Sequence, residues 1–213
     1  MLVSHYDRVK KIRRKYLANF ERETQIVDIG CGDGSFLKLL KDENFSAVGV
    51  DVADTWVEKY KECGLDVYIM DAIEYLENNH ETLGGIVCSH VIEHMAIDLL
   101  KRFIRACHDA LSLGGKLLII TPNVGHISGG VDFWDDPTHV RPYTLGSLRL
   151  LIDEFGFKIV RSGYDSESRL PPKKCGIGLL LYMVRTAFGL FCYGRAGRST
   201  EIYVVAQKVP KTV

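Results

Sequence analysis

The chain has 213 residues, 27 Lys and Arg balanced by 27 Asp and Glu, 46% hydrophobic residues and 20 glycines. Such a composition describes one ordinary domain with a full core and excludes disorder, collagen and coiled coil. Zero formal net charge gives no bulk attraction to nucleic acid, so a polyanion partner would need a local patch.

The opening run Met1-Leu2-Val3-Ser4-His5 turns polar and basic at once and offers no export signal. Residues 2–20 then read as an amphipathic helix: Val9, Ile12, Tyr16, Leu17 and Phe20 form a stripe, with Arg8, Lys10, Lys11, Arg13, Arg14 and Lys15 beside it. That basic run is either a solvated face or a contact for a phosphate-bearing substrate. Strand-like and helix-like periods alternate from there on. Strands are predicted at 25–29, 47–50, 66–69, 85–89 and 116–121, and helices at 35–41, 54–63, 72–78 and 97–113, the last ended by Gly114-Gly115. A polar loop, 122–143, precedes a helix at 145–154, and strands at 157–164 and 201–207 close the count at seven as an antiparallel pair at one edge. The fold class is therefore α/β, a doubly wound, mostly parallel seven-stranded sheet with an antiparallel edge strand. Residues 1–213 form a single domain, with an N-terminal helix inside 1–24 and an apolar helical insertion inside 165–200. Six cysteines (Cys31, Cys63, Cys88, Cys107, Cys175, Cys192) form no short pair and lie mostly in apolar runs, as expected of reduced, packed thiols in the cytoplasm.

Val27-Asp28-Ile29-Gly30-Cys31-Gly32-Asp33-Gly34-Ser35-Phe36 sits where the first strand turns into the next helix. Glycines on alternate residues let the chain turn tightly and let a ligand lie against bare backbone. The spacing Gly-x-Gly-x-Gly, preceded by an acid, differs from the dinucleotide fingerprint Gly-x-Gly-x-x-Gly. Asp28 would repel a pyrophosphate but can accept from an amino group, so the expected nucleoside carries an amino acid. Asp51 ends the second strand, where a carboxylate takes both hydroxyls of a ribose. Asp71 follows the third strand, placed to accept from an adenine amine or, equally, to cap a helix.

On these residues, and most specifically on Val27 to Phe36 with Asp51, the chain resembles the class I S-adenosylmethionine-dependent methyltransferases over about residues 25–160 and the final strand. The resemblance implies a Rossmann-like sheet of seven strands with S-adenosylmethionine as methyl donor. It places Asp28 toward the methionine end, Gly30, Cys31, Gly32 and Gly34 around it, Asp51 and Val52 at the ribose and Asp71 and Ala72 at the adenine. Ser89 and His90 fall in the methyl-transfer cleft.

His90-Val91-Ile92-Glu93-His94 follows the fourth strand. As a helical turn it points His90, Glu93 and His94 the same way, as a divalent cation requires, although many members of the fold carry a Glu-His pair there without metal. Ubiquinone-biosynthesis O-methyltransferases and small-RNA 2′-O-methyltransferases have Glu-x-x-Glu-His at this place, and the RNA enzymes add a later histidine. Here His90 replaces the first Glu and His139 is the candidate later ligand. The imidazoles favour zinc, iron, nickel or manganese. His139 and His94 are also the candidate general bases, with a packing role for His139 as the plain alternative.

The block Asp136-Pro137-Thr138-His139-Val140-Arg141-Pro142 resembles methyltransferase domains of surface-polysaccharide biosynthesis, and Phe133, Trp134 and Tyr143 read as an aromatic wall for a sugar. The expected function is O-methylation of a glycan or glycolipid hydroxyl. The alternatives are the terminal ribose of an RNA, a small-molecule hydroxyl, or a silent cofactor-binding subunit. The apolar segment 176–193 is nearly as long as the about 20 residues a bilayer span needs. With Arg185 at its centre, it reads as a buried helix, a lid, a dimer face or a peripheral membrane contact.

Overall fold

The computed structural model describes residues 5–126, 128–165, 177–197 and 199–210. In chain order the elements are α1 (His5–Arg13), a 3-10 turn (Arg14–Asn19), β1 (Ile26–Ile29), α2 (Ser35–Asp42), β2 (Ala47–Asp51), α3 (Val57–Cys63), β3 (Val67–Ile69), α4 (Ala72–Glu77) and β4 (Leu83–Ser89). A 3-10 turn (Ile92–His94), α5 (Ile97–Ala110), β5 (Leu111–Pro122), α6 (Gly129–Trp134), α7 (Leu145–Glu154) and β6 (Phe157–Tyr164) follow. The chain then forms α8 (Ile177–Tyr193), a 3-10 turn (Gly194–Gly197) and β7 (Glu201–Lys208).

The strands form one sheet in the order β3-β2-β1-β4-β5-β7-β6. The first five run parallel, while β7 is antiparallel to β5 on one side and β6 on the other. The order reverses between β1 and β4, which opens a crevice beyond their carboxyl ends. Both informative motifs of the sequence leave the sheet at those two strand ends.

Strand alternation divides the core between the two faces. Leu117 and Ile119 of β5, with Ile86 and Cys88 of β4, pack under α4, α5 and α7. Leu118, Ile120 and Val87 pack against Leu39 and Leu40 of α2 and the Tyr16–Phe20 stretch. Burial pushes the Cys88 and Cys107 thiols far up, so both pack as small hydrophobes.

The structure departs from the sequence expectation most at the first helix, the start of β5 and the loop after it. The first helix tightens after Arg13, where Arg13 and Tyr16 both bond Asp165 and Lys15 pairs with it too. Residues two apart lie on nearly opposite sides of an α-helix, and the tighter turn narrows that separation. The helix predicted to end at the glycine pair stops at Ala110, because Leu111 pairs with Leu83 at the start of the sheet register. Its side chain is buried either way, so periodicity did not distinguish the two. The loop predicted at 122–143 holds α6. Within the insertion, 166–176 and with it Cys175 lie outside the described residues, as do Met1 to Ser4 of the first helix.

Candidate active site

The glycine loop takes three left-handed turns in sequence, with φ of 65° at Gly30, 54° at Gly32 and 75° at Gly34. A side chain at Gly30 would in addition collide with Val91, so this position requires glycine on both counts. The loop walls a cleft of about 350 Å³ with Asp28, Cys31, Ser89, His90 and Glu201, and α1 covers it with His5, Arg8, Val9, Ile12 and Arg13. This roof was not foreseen: α1 has no sequence signal that ties it to the loop.

Of the three strand-end acids, Asp51 braces the loop directly. Its Oδ2 accepts from the Gly32 backbone N–H at 2.8 Å and its Oδ1 from that of Ala53 at 2.9 Å. Carboxylate oxygens have further lone pairs for hydroxyls. Val52 beside it is 73% exposed, an apolar surface open to a ligand. Asp71 caps α4, Oδ1 accepting from Ile73 N–H at 2.9 Å and Glu74 N–H at 3.1 Å, with Ala72 half-buried behind it. The capping reading of Asp71 is thus realised, both bonds being made by Oδ1 alone.

Asp28 is 3% exposed, and its Oδ2 has no hydrogen-bond partner. Burial first, then Asp51 and Asp33, pushes its carboxyl up to about 8. Between its unfolded value of about 3.9 and that raised value, the folded state holds a proton that the unfolded state has lost. Stability therefore falls as pH rises across this window and levels off above it. Asp28→Asn is expected to stabilise the ligand-free protein by about 1 kcal/mol at pH 8, with the advantage shrinking toward pH 4. Thermal melts of both proteins across that range check it; a constant difference would overturn the assignment.

His90 directly follows the fourth strand and takes a left-handed φ of 57°, uncommon without glycine and held only where the surroundings over-determine it. The surroundings are Ile120, whose carbonyl accepts from His90 N–H at 2.9 Å, and two carboxylates. His90 Nε2 lies 2.8 Å from Glu201 Oε1 and Nδ1 lies 3.1 Å from Glu93 Oε1. Burial pulls its pKa down, but the bond to Glu201 and then Glu93 outweigh it and raise it to about 9. Glu201 is itself held at about 2, burial being outweighed by His90 and Arg13. Arg13 grips Glu201 bidentately at 2.7 and 2.9 Å, so a continuous chain of charges runs from the cleft roof to the strand end. Glu201 carries no site signal in the sequence, and Arg13 stands out there only as one member of the basic run.

Glu93, His94 and His139 present ligand atoms within 4.8 Å of one another, a cluster found among the described residues. His90 does not join it, and this corrects the four-residue ligand set: the left-handed turn at His90 sets its ring between Glu93 and Glu201. The loop reaches Glu93 through backbone, since the N–H groups of Val140 and Arg141 both donate to the Glu93 carbonyl at 2.9 and 3.1 Å. His139 Nδ1 is 2.7 Å from the Phe133 carbonyl, an acceptor only, so Nδ1 carries the proton and Nε2 the lone pair. Thr138 Oγ1 donates to Asp136 Oδ1 at 2.6 Å, which leaves its oxygen to accept from His94 Nδ1 at 2.9 Å. His94 thus also presents Nε2. Glu93, fully buried, accepts from Thr121 Oγ1 at 3.0 Å through Oε2, while its Oε1 faces His90 Nδ1 at 3.1 Å. Thr121, Thr138 and Asp136 orient the three groups and were missed, because each acts from a different element or as an unremarkable loop residue.

The expected aromatic wall is corrected in part. Phe133 and Tyr143 are buried in the core at 1% and 2% exposure, and only Trp134, at 62%, faces solvent. Phe133 instead stacks on His139 at 4.5 Å between ring centres. The basic run is also partly spent: Arg13 and Lys15 pair with Glu201 and Asp165, and Arg14 pairs with Glu43.

The sequence profile of a methyltransferase domain matches residues 3–162. Human mitochondrial ubiquinone biosynthesis O-methyltransferase is 33% identical over 114 residues, covering 49% of this chain and 30% of that protein. The ubiquinone biosynthesis O-methyltransferase of Chelativorans sp. (strain BNC1) is 31% identical over 131 residues, 54% of this chain and 51% of that protein. The chain therefore spans about half or less of the length of these curated relatives. A solved SAM dependent methyltransferase from Archaeoglobus fulgidus superposes with a TM-score of 0.77 at 25% identity, over 96% of this chain and 95% of that one.

Proposed function

Because the chain belongs to the methyltransferase domain family, an enzyme family with S-adenosylmethionine as methyl donor, we propose that it is an O-methyltransferase acting on a small-molecule hydroxyl. The observation that carries the reading is the Glu93, His94 and His139 cluster beside the end of β4, both imidazoles offering Nε2. Methyl transfer from a sulfonium is an in-line displacement: the carbon–sulfur bond breaks as the oxygen–carbon bond forms, and the acceptor proton must leave. The protein's task is to align donor and acceptor and to receive that proton.

In this assignment the cofactor lies over Gly30, Cys31, Gly32 and Gly34. Asp28 faces its ammonium, Asp51 takes the ribose hydroxyls with Val52 alongside, Asp71 and Ala72 border the adenine, and Ser89 lines the transfer cleft. Asp28, pushed up to about 8 when empty, gives up a proton when an ammonium approaches, so cofactor binding near pH 7 releases protons to the buffer. His139, its tautomer set by the Phe133 carbonyl, accepts the proton of the acceptor hydroxyl. His90, held as a cation between Glu201 and Glu93, serves to position rather than to accept a proton.

The same three side chains fit a divalent cation. Two imidazoles that present Nε2, with Nδ1–H bonded outward, plus a buried carboxylate, match the two-histidine, one-carboxylate ligand set of zinc, iron, nickel or manganese. Such a cation, when bound, lowers the pKa of the acceptor hydroxyl. A sugar hydroxyl, on a glycan or glycolipid, is a second acceptor reading favoured by Trp134, exposed on α6 next to Phe133.

The test is calorimetric titration with S-adenosylhomocysteine, followed by turnover on phenolic and sugar acceptors with and without a chelator. Asp51→Ala is expected to weaken binding at least 100-fold, since it removes the ribose acceptor and the brace on Gly32 together. Absence of binding to folded wild-type protein would overturn the reading. Chelator-sensitive turnover would assign the cation, and chelator-resistant turnover would leave His139 as the base acting alone.

A further inference from the structure

Helix α8 is amphipathic the wrong way round for a soluble surface. Its half-buried or buried positions, Leu179, Tyr182, Thr186 and Gly189, recur at helical spacing and mark the side turned to the protein. The opposite stripe is Leu180, Val184, Phe188 and Phe191, exposed at 56%, 57%, 55% and 89%. At about 1.5 Å per residue the helix is about 25 Å long. No helix among the described residues is long and apolar enough to cross a membrane.

The helix is nevertheless firmly held. Gly189 meets Gly197 so closely that a side chain on either would strike the other's backbone. The turn that carries Gly197 is tied to the end of β5 by Asn123 Nδ2, which donates to the carbonyls of Ala196 at 2.9 Å and Ser199 at 2.7 Å. Asn123 also lines a small cavity with His90 and Glu201. The apolar stripe is thus fixed to the same sheet edge as the active site.

Charge decides what covers it. In a chain of zero net charge, the sequence from Ser168 to Thr200 contains Arg169, Lys173, Lys174, Arg185, Arg195 and Arg198 and no Asp or Glu. Arg185 lies exposed on the flank of the stripe and Arg195 just beyond its end, next to Tyr193, which is 57% exposed. A second copy packed on this face would bring like charges together across a two-fold axis. An anionic lipid surface neutralises them, accepts the apolar stripe below the headgroups and accommodates an interfacial tyrosine.

We propose that α8 is a membrane-docking helix that lies in the plane of an anionic bilayer, with Leu180, Val184, Phe188 and Phe191 in the acyl boundary and Arg185 and Arg195 at the lipid phosphates. Sedimentation of the full chain with vesicles of phosphatidylglycerol and phosphatidylcholine in equal parts, beside pure phosphatidylcholine, tests it. The wild type binds the anionic vesicles more tightly. Val184→Glu with Phe188→Glu weakens that binding at least tenfold while S-adenosylhomocysteine affinity, the check on folding, stays unchanged. Arg185→Ala and Arg195→Ala each cost roughly fivefold on anionic vesicles and little on neutral ones. Equal binding to both vesicle types, or full binding by the double glutamate variant, would overturn the proposal. So would a dimer in light scattering that the double variant dissociates, with no vesicle binding by the wild type; that result would assign the face to a second copy.

Discussion

His139→Ala is expected to lower turnover by about 10²- to 10⁴-fold, the usual worth of a positioned general base, with S-adenosylhomocysteine affinity within twofold of wild type. The split follows from position. His139 Nε2 belongs to the cluster with Glu93 and His94, whereas the cofactor groups sit on the glycine loop and at the ends of β1 and β2, joined through Gly32 and Asp51. His139→Gln keeps a polar group but cannot accept the proton, so it should fail equally. Glu93→Gln removes the buried carboxylate charge of the cluster and should abolish any stoichiometric metal found by elemental analysis of the wild type. Turnover that survives His139→Ala would take the loop out of the chemistry and restore its histidine to a packing role against Phe133.

Arg13→Ala is expected to cost about 3–5 kcal/mol of folding stability, measured by urea denaturation, because it strips the counter-ion from buried carboxylates. The side chains of Arg13, Asp165 and Glu201 are 8%, 0% and 13% exposed, so solvent screening offers little relief. Arg13→Lys should recover only part of the loss, since an ammonium cannot reproduce the two parallel bonds to Glu201. The pH response has a definite sign. Glu201, held at about 2, contributes stability that is complete above its unfolded value of about 4.3 and lost as pH falls through about 2. Without Arg13 the folded value rises toward the unfolded one, and acid unfolding moves to higher pH. Cofactor affinity should fall in parallel, because Arg13 and Glu201 both border the cleft that α1 roofs. A loss below about 1 kcal/mol would class the pair with exposed salt bridges.

The glycine loop was legible because its demands are local. Three left-handed turns fall within five residues, so the spacing of Gly30, Gly32 and Gly34 carries the information, and the close approach of Val91 to Gly30 adds to it from another strand end. The seven strands were legible for a similar reason, alternation over a few residues being enough to mark a buried strand. The histidine motif was legible only in part. Regular helical spacing puts His90 with Glu93 and His94, but His90 turns left-handed and the 3-10 turn begins at Ile92, so the ring bridges Glu93 and Glu201 and stays out of the cluster with His94 and His139. Asp71 had two readings of equal standing in the sequence, and the geometry realised the cap.

By itself the sequence determined the α/β class, the loop that turns against a nucleoside, and the set of imidazoles and carboxylates available for chemistry, because each is written in residues a few positions apart. Tertiary structure alone decided which of them meet. Glu201 reaches His90 across 111 residues of chain and Arg13 reaches Glu201 across 188. Both contacts exist because β7 inserts antiparallel between β5 and β6 and returns its first residue to the carboxyl edge of the sheet. The outward turn of the apolar stripe on α8 is of the same kind. Its periodicity is visible in the sequence, but the side that faces the protein is chosen by the glycine contact at Gly189 and Gly197 and the grip of Asn123. Local spacing specifies conformation and chemical type; partners distant in the chain are chosen by sheet order and packing, which no short stretch encodes.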